Sequence, residues 1–159
     1  MKWDRPQKKN VRRGRRAEFA NRICINKSYY RPFFPQFLYF DRFWNNCVYQ
    51  MPSIFPMNTS NNLVICSSGV GAKGYSCLMV NQIPCLDFLE KTQAFPRWLP
   101  GEQAKKAEGV LDFGEPNEVP SGFSPEALPH FQAAYPGMPM TEDDLFYYIY
   151  GILHSEDYR

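Results

Sequence analysis

Residues 29–56 read YYRPFFPQFLYFDRFWNNCVYQMPSIFP. This stretch holds eleven of the 26 aromatic residues in a chain of 159. Because one aromatic side chain buries roughly 150–250 Å², the stretch can supply much of a hydrophobic core. A long helix is excluded by four prolines: Pro32, Pro35, Pro52 and Pro56. The pattern therefore predicts short extended segments joined by turns, at residues 30–33, 37–42 and 48–52.

The side chains of this stretch divide between a core and a surface. Five are expected in the core: Phe33, Phe37, Leu38, Phe40 and Trp44. Three are candidates for exposure: Tyr29, Arg31 and Arg42. Cations suit phosphates and planar groups suit bases, so an exposed mixture of this kind favours a nucleic-acid groove.

Charge is distributed unevenly along the chain, although its formal net charge is only +2. Residues 1–28 carry ten Lys and Arg against two acids, whereas residues 101–159 carry three against eleven. The basic end contains a dense cluster: Lys8, Lys9, Arg12, Arg13, Arg15 and Arg16. Closely spaced cations neutralise phosphates and release counterions, so the cluster predicts contact with a polyanion. The alternative is a solvated arm, and a short helix over residues 15–22 also fits.

The number and spacing of the cysteines indicate the cellular compartment in which the protein is expected. Five cysteines are scattered without a Cys-x-x-Cys pair, and no apolar run follows the basic N-terminus. Neither a disulfide framework nor a signal peptide is indicated, so we expect a cytoplasmic location with free, buried thiols. A run of about 18 apolar residues is also missing from the sequence, so we expect no membrane partner.

Residues 57–100 form a second β-like block that follows turn residues at 58–62. LVIC at 63–66 is a short apolar run between turns, which predicts a buried strand, and YSCLMV at 75–80 predicts its neighbour. The intervening GVGAKG matches G-x-G-x-x-G, but a strand pattern follows it and the next acids come too early for a dinucleotide site. A glycine-rich hairpin loop is the better interpretation, with Lys73 at its tip able to reach a phosphate. QAFPRWLP at 93–100 predicts an edge strand.

The C-terminal third has a different character. Residues 101–123 are polar, acidic and rich in Gly and Pro, which predicts a mobile surface loop. A helix is expected after Ser124 and ends at Pro136, although Pro129 conflicts with it. The last helix follows Thr141, because Thr141 and Asp144 resemble a capping box. Its apolar stripe is predicted at Leu145, Tyr148, Ile149 and Ile152, with Phe146 and Leu153 flanking it.

These segments predict an α+β fold, with short, mostly antiparallel strands in the first two thirds and helices at the C-terminus. The predicted organisation is a basic N-terminal arm at residues 1–28 and one domain at residues 29–159. The C-terminus is expected to be truncated, because the chain stops just after Ser155, which could cap a further helix.

The sequence does not assemble an active site. His130 and His154 have no Cys, Asp or Glu partner at metal-ligand spacing, and no serine lies in a nucleophile-elbow pattern. We therefore predict no catalytic residue and no metal site. Any catalysis would need residues from another chain or domain.

Seven short blocks, in order along the chain, carry a family resemblance. They are YRPF at 30–33, LYFDR at 38–42, VYQMPSIFP at 48–56, NLVIC at 62–66, SGVG at 68–71, Ile-Pro with Leu86 at 83–86, and EDDLFYYIYGILHSEDYR at 142–159. Together they resemble the C-terminal specificity domain of type ISP restriction–modification enzymes. Those are single-chain bacterial proteins that combine a nuclease, a translocase, an adenine methyltransferase and a target-recognition domain.

The resemblance implies a DNA target-recognition domain or fragment that selects the site for adenine-N6 methylation and cleavage. Double-stranded DNA and a methyltransferase domain or subunit are the implied partners, and the acidic C-terminal half would face the methyltransferase. It implies no cofactor in this chain, since S-adenosylmethionine, ATP and Mg²⁺ would serve the other parts of the parent enzymes.

The candidate DNA contacts fall into two groups. Phosphate contacts are expected from Lys8, Lys9, Arg12, Arg13, Arg15 and Arg16. Groove contacts are expected from Tyr30, Arg31, Arg42 and Lys73, and arginine is favoured because it can bind guanine through two hydrogen bonds.

Three other functions fit the same residues. The chain could be an enzyme fragment that completes a methyltransferase active site in a partner. It could be a structural remnant that binds nothing. An RNA-binding module is the third possibility, which competition between RNA and duplex DNA would distinguish.

Overall fold

The computed structural model describes residues 5–16, 25–56, 62–99 and 120–158. Short strands in two three-stranded sheets occupy the first two thirds, and helices follow at the C-terminus. Among these residues, every strand pairing is antiparallel except one. The predicted α+β fold is therefore confirmed.

The first sheet is built on a hairpin. Strands β1 (Ile25–Arg31) and β2 (Phe34–Tyr39) are antiparallel, and the short β5 (Ile83–Pro84) adds to the other side of β1 in parallel. Pro32 and Phe33 make the turn between β1 and β2. A register shift between Tyr29 and Arg31 marks a bulge just before the turn.

The second sheet also has three strands. Strand β3 (Val64–Ser67) is central and buried along its whole length, with β4 (Cys77–Val80) and β6 (Gln93–Pro96) antiparallel on either side. Because successive side chains of a strand point to opposite faces, Val64 and Cys66 join one core cluster while Ile65 joins another. The predicted buried strand, its neighbour and the edge strand are all confirmed.

Four helices complete the described part of the chain: α1 (Arg5–Arg12), α2 (Met51–Ile54), α3 (Ala127–Ala134) and α4 (Glu142–Ile152). Pro129 is compatible with α3 because it occupies the third helical position, where a backbone N–H needs no acceptor within the helix. The capping box of α4 is confirmed: Thr141 Oγ1 accepts from the Asp144 amide at 3.2 Å, and Asp144 Oδ2 accepts from the Thr141 amide at 2.9 Å.

The apolar stripe of α4 differs from its prediction. Leu145 and Phe146 are buried, but Tyr148 is 48% exposed and Ile152 is 38% exposed. Phe146 joins the second core cluster with three partly buried residues of the C-terminal segment: Ile149, Tyr150 and Leu153. The buried face is thus centred one residue later than the spacing suggested, because Ile65 and Cys77 of the second sheet lie against Phe146.

Two expectations for the aromatic stretch are wrong. Residues 48–52 are not extended, since turns lead directly into α2 at Met51. Phe33 and Phe37 do not belong to the core, because their side chains are 86% and 75% exposed. Leu38 and Phe40 do pack against the first core cluster. The reason is that the hairpin forms an edge of the described fold, so its turn and one of its faces are left uncovered by the described elements.

Some predictions fall on residues outside the described ranges. The helix over residues 15–22 is described only at Arg15 and Arg16, which are not helical. The turn at 58–62 and the loop at 101–123 are described only at Asn62 and at residues 120–123. None of the helices within the described ranges has the length and hydropathy of a membrane-spanning segment. The two-part organisation stays a prediction, and β1 runs across its proposed boundary at residues 28 and 29.

Candidate nucleic-acid interface

Helix α1 has one basic face. Arg5, Lys8, Lys9 and Arg12 recur at i, i+3, i+4 and i+7, so they line one side of the helix, and all four are exposed. Arg13, Arg15 and Arg16 follow the helix and are exposed as well. Residues 5–16 contain seven cations and no acid. This face has the charge and the spacing to contact successive phosphates.

The opposite face of α1 is attached to the turn that follows β2. Gln7 Nε2 donates a hydrogen bond to the backbone carbonyl of Trp44. That turn is held by Asp41, whose Oδ1 accepts from the Phe43 amide at 2.7 Å. Arg42 lies in the same turn and is exposed. The structure therefore brings Arg42 close to the basic helix, and the cations of α1 point away from the attachment.

On the solvent-exposed face of the hairpin, an aromatic ring lies beside a cation. Lys27 on β1 is directly opposite Phe37 on β2, and both are exposed. Directly opposed residues of antiparallel strands place their side chains side by side on one face. Asn26 and Ser28, which alternate with Lys27, are buried instead. Lys27 was missed as a candidate, although the alternation in INKSYY could have separated it from its buried neighbours.

The end of the hairpin holds Tyr30 and Arg31 together. The Arg31 guanidinium lies 5.0 Å from the centroid of the Tyr30 ring, and Nη1 donates a hydrogen bond to the backbone carbonyl of Asp87. Phe34 contacts the same tyrosine edge to face, with ring centroids 6.4 Å apart. Tyr29 instead packs against Phe88 in the core, at 6.0 Å. Two of the groove candidates thus form one preorganised group, and Tyr29 is removed from the exposed set.

The glycine-rich stretch is a hairpin loop between β3 and β4, as predicted. A side chain at Gly69 would clash with the Lys91 carbonyl oxygen, so only glycine allows this close approach. Lys91 Nζ donates to the Gly71 carbonyl at 2.7 Å, and Glu90 Oε2 accepts from the Lys73 amide at 2.9 Å. A carboxylate therefore occupies the position that a phosphate cradle would need, which leaves the exposed Lys73 side chain as the loop's candidate contact.

Residues 85–91 contact both the Tyr30–Arg31 pair and the loop that carries Lys73. Asp87 accepts from Arg31 of the hairpin, and Glu90 accepts from Lys73 of the glycine-rich loop. The ten predicted contact residues are all exposed. Those on α1 lie near Arg42, whereas Tyr30 and Arg31 form a separate group and Lys73 belongs to the second sheet.

A cavity of about 800 Å³ lies between the hairpin and the strand β6. Its walls are mainly apolar, with Leu38, Met51, Ile83 and Phe95 among them. Asp87 and Lys91 are its charged lining residues. In the described residues no group of three His, Cys, Asp or Glu could hold a metal ion.

The C-terminal helices form an acidic surface, opposite in charge to the basic helix α1. Residues 120–158 contain six acids and no Lys or Arg. Several large apolar side chains are nevertheless exposed there: Tyr135, Met138, Tyr147, Tyr148, Ile152 and Tyr158. A polyanion would be repelled by this surface, whereas another protein domain could cover it.

Three solved structures that are similar to this chain contain DNA or a DNA substrate mimic. A cryo-EM structure of the DrdV–DNA complex has a TM-score of 0.80 and 31% identity over 98% of this chain. The ATP-dependent type ISP restriction–modification enzyme LlaBIII bound to DNA has a TM-score of 0.74 and 27% identity over 99%. A nuclease-deletion mutant of the type ISP restriction–modification enzyme LlaGI in complex with a DNA substrate mimic has a TM-score of 0.71 and 26% identity over 99% of this chain.

This chain spans only part of those proteins, covering 14%, 10% and 12% of their lengths, respectively. No curated protein sequence matches it. The profile of the type ISP C-terminal specificity domain matches residues 1–159. With the complete chain matched, this protein belongs to the family of type ISP C-terminal specificity domains.

Proposed function

We propose that this chain is a DNA target-recognition domain, which selects the site for adenine-N6 methylation and cleavage by a type ISP restriction–modification enzyme. One observation carries the proposal. The fold matches DNA-bound type ISP enzymes over nearly its whole length at 26% and 27% identity. The cytoplasmic location expected from the free thiols is part of the same proposal.

The proposed interface separates affinity from selectivity. Phosphate contacts position a protein on DNA, and base contacts carry sequence information. The basic face of α1 would bind phosphates through Lys8, Lys9 and Arg12. The hairpin would enter a groove, since the major groove admits a two-stranded ribbon. Arg31 is prepared for base contact, because its contacts with Tyr30 and Asp87 already restrict the guanidinium.

Binding to a fluorescent duplex of about 30 base pairs, followed by anisotropy across a salt series, tests the phosphate role. We expect the full chain to show a log–log salt slope of several units. Lys8→Gln with Lys9→Gln should lower the slope by about 0.9 for each phosphate that the variant no longer neutralises.

A matched control removes the same charge elsewhere. Lys105→Gln with Lys106→Gln also lowers the net charge by two, but these residues lie in the acidic segment 101–119. This variant should keep the wild-type slope. Equal reductions in slope from both double variants would mean that only net charge matters, and an absence of binding at about 50 mM salt would contradict the proposal.

Selectivity has its own readout. Selection from a randomised duplex library should enrich one sequence with the wild-type chain. Arg31→Ala should relax the preference at one position, because removing a bidentate hydrogen-bonded pair with a base costs about 1–3 kcal/mol of discrimination. Lys8→Gln should weaken binding to all sequences similarly. A selected sequence that does not change with Arg31→Ala would remove that residue from base readout.

We further propose that the exposed aromatic surface of α3 and α4 is covered by a methyltransferase domain. The surface has no cation among residues 120–158, and relatives of this fold carry it within much longer chains. Tyr147→Glu should reduce methylation by an enzyme whose own specificity domain is replaced by this one, while DNA binding by the isolated chain is unchanged. Equal methylation by both forms would exclude this surface.

A further inference from the structure

Phe33 occupies an unusual position at the tip of the β1–β2 hairpin. Its backbone φ is +62°, in the left-handed region that bulky residues rarely adopt. Pro32 sets the first turn position, and a positive φ at the second is usually supplied by Gly or Asn. The ring is 86% exposed, so core packing does not account for a phenylalanine here. The fold itself would be served better by glycine.

The tip is held in place by its neighbours. Arg31 is anchored on the Asp87 carbonyl and lies against Tyr30, and Phe34 contacts the same tyrosine. The rigid ring of Pro32 limits the turn further. Phe33 therefore projects from a preorganised hairpin, and little conformational entropy is lost when the ring enters a partner.

The surroundings of Phe33 favour a nucleic acid as that partner. Arg31 and Lys27 on β1 flank the exposed rings with positive charge. A protein or lipid surface would also accept an apolar tip, but a duplex satisfies the ring and the cations together. Many proteins that bend DNA insert an apolar side chain such as Phe between base steps, and their Arg and Lys side chains contact the groove.

We propose that Phe33 is a wedge that inserts between two neighbouring base pairs of the bound duplex and partly unstacks them. The wedge rests on the proposed DNA-recognition function and adds a deformation step to it. Sequence preference would then come in part from how easily a base step opens, in addition to direct contacts from Arg31.

The test compares two duplexes of about 30 base pairs that differ only in a central mismatch. A mismatched step is already partly unstacked, so a wedge spends less energy there. We expect the full chain to bind the mismatched duplex about tenfold more tightly, because part of the unstacking that the wedge requires is already present there. A 2-aminopurine beside the mismatch should become brighter when the chain binds.

Four variants separate the wedge from other effects. Phe33→Gly and Phe33→Asn both tolerate a positive φ, so their thermal midpoints should equal or exceed that of the wild type. Both should reduce the affinity ratio of the two duplexes to about one. Phe33→Leu keeps an apolar wedge and should keep much of the ratio. Lys8→Gln with Lys9→Gln should weaken binding to both duplexes and leave the ratio unchanged.

The outcomes decide separately on the wedge and on DNA recognition. If both duplexes bind with equal affinity, or if the ratio survives Phe33→Gly and Phe33→Asn, the wedge is wrong and DNA recognition stands. If neither duplex binds at low salt, both proposals are wrong. A ratio that disappears with Phe33→Gly and persists with Phe33→Leu supports the wedge.

Discussion

The Nε atom of Arg97 donates a hydrogen bond to Oδ1 of Asp143 at 2.6 Å, which ties the end of β6 to the beginning of α4. The Nη1 atom of the same guanidinium donates to Oε2 of Glu142 at 3.0 Å. Arg97 is buried, and its guanidinium lies 3.7 Å from the centroid of the Trp98 ring. The two acids at the start of α4 are thus the partners of a cation that the second sheet buries.

This arrangement predicts unequal effects of mutation. Asp143→Ala should cost about 1 kcal/mol, because Asp143 is largely exposed and Glu142 still neutralises Arg97. Asp143→Ala with Glu142→Ala should cost about 3–5 kcal/mol, because a buried charge is left without a partner. Adding Arg97→Met should restore much of the stability. Urea unfolding measures all three, and strictly additive effects would contradict the shared ion pair.

A second prediction concerns Asn62, whose side chain forms hydrogen bonds with two distant backbone segments. Its Nδ2 donates to the carbonyls of Ile54 at 3.0 Å and Trp98 at 2.7 Å, and its Oδ1 accepts from the Trp98 amide at 3.1 Å. Asn62 is 3% exposed. Asn62→Ala leaves these buried groups unsatisfied and should cost about 3 kcal/mol in urea unfolding.

Two further variants complete that comparison. Asn62→Asp has nearly the same shape but turns an oxygen toward two carbonyls, so it should be at least as destabilising at neutral pH. Asn81→Ala, in the exposed turn after β4, should change stability by less than about 0.5 kcal/mol. Equal stabilities of the Asn62 and Asn81 variants would show that Asn62 is not buried as described.

The cysteines should react with thiol reagents in an order set by burial. Cys47 is exposed, whereas Cys66 and Cys77 are buried. Burial, and then the nearby thiol of Cys77, raise the pKa of Cys66 from 9.0 to about 12. Since the thiolate is the reactive form, its population at Cys66 near pH 8 is roughly a thousandfold smaller than in an ordinary thiol.

Mass spectrometry of the native chain after timed alkylation checks this order. Cys47 should be modified first, and Cys66 only at the rate at which the protein unfolds. In about 6 M urea the two should react at similar rates, which serves as the control. Rapid modification of Cys66 under native conditions would mean that β3 is not a buried central strand.

The stabilisation provided by the N-terminal cap of α4 should be lost at low pH. Hydrogen bonds from the Thr141 hydroxyl, and then from its amide, hold the pKa of Asp144 below its ordinary value of 3.8. A folded-state pKa that is lowered stabilises the folded chain above the unfolded pKa. This stabilisation is therefore complete above about pH 4 and is lost as the pH falls through the lowered pKa.

Thr141→Ala isolates this effect, because it removes the hydroxyl that donates to the carboxylate. We expect the pKa of Asp144, followed by NMR of its side-chain carboxyl carbon, to rise toward 3.8 in the variant. Ser155→Ala removes a hydroxyl at the other end of α4, where Ser155 donates to the Ile152 carbonyl, and should leave that pKa unchanged. A pKa that is the same in the wild type and in Thr141→Ala would disprove the cap interaction.

Local patterns predicted three of the local structures correctly. The apolar run at 63–66 became the central strand because a short run between turns has few other ways to be buried. Thr141 and Asp144 became a capping box because both partners lie within one helical turn. The glycine-rich stretch became a hairpin loop because a strand pattern, rather than a helix, follows Gly74.

These local patterns did not predict which side chains of the hairpin are exposed. Phe33, Phe37 and Phe40 are the same residue type in one aromatic run, yet only Phe40 packs against the core. Period-two alternation tells which side chains share a face, but it does not tell which face another element will cover. The alternation in INKSYY separates Lys27 from Asn26 and Ser28, but only the register of β1 and β2 places Lys27 opposite Phe37.

The sequence alone determined the α+β class, the central strand, the final helix with its cap and, through its seven blocks, the family. Only the tertiary structure decided that Phe33 lies at an uncovered tip, that Gln7 attaches the basic helix beside Arg42, and that Arg97 pairs with Asp143. The reason is the separation along the sequence between the residues that interact. Strand pattern, turn chemistry and capping act between residues a few positions apart, whereas Arg97 and Asp143 are 46 positions apart and meet only when the second sheet packs against α4.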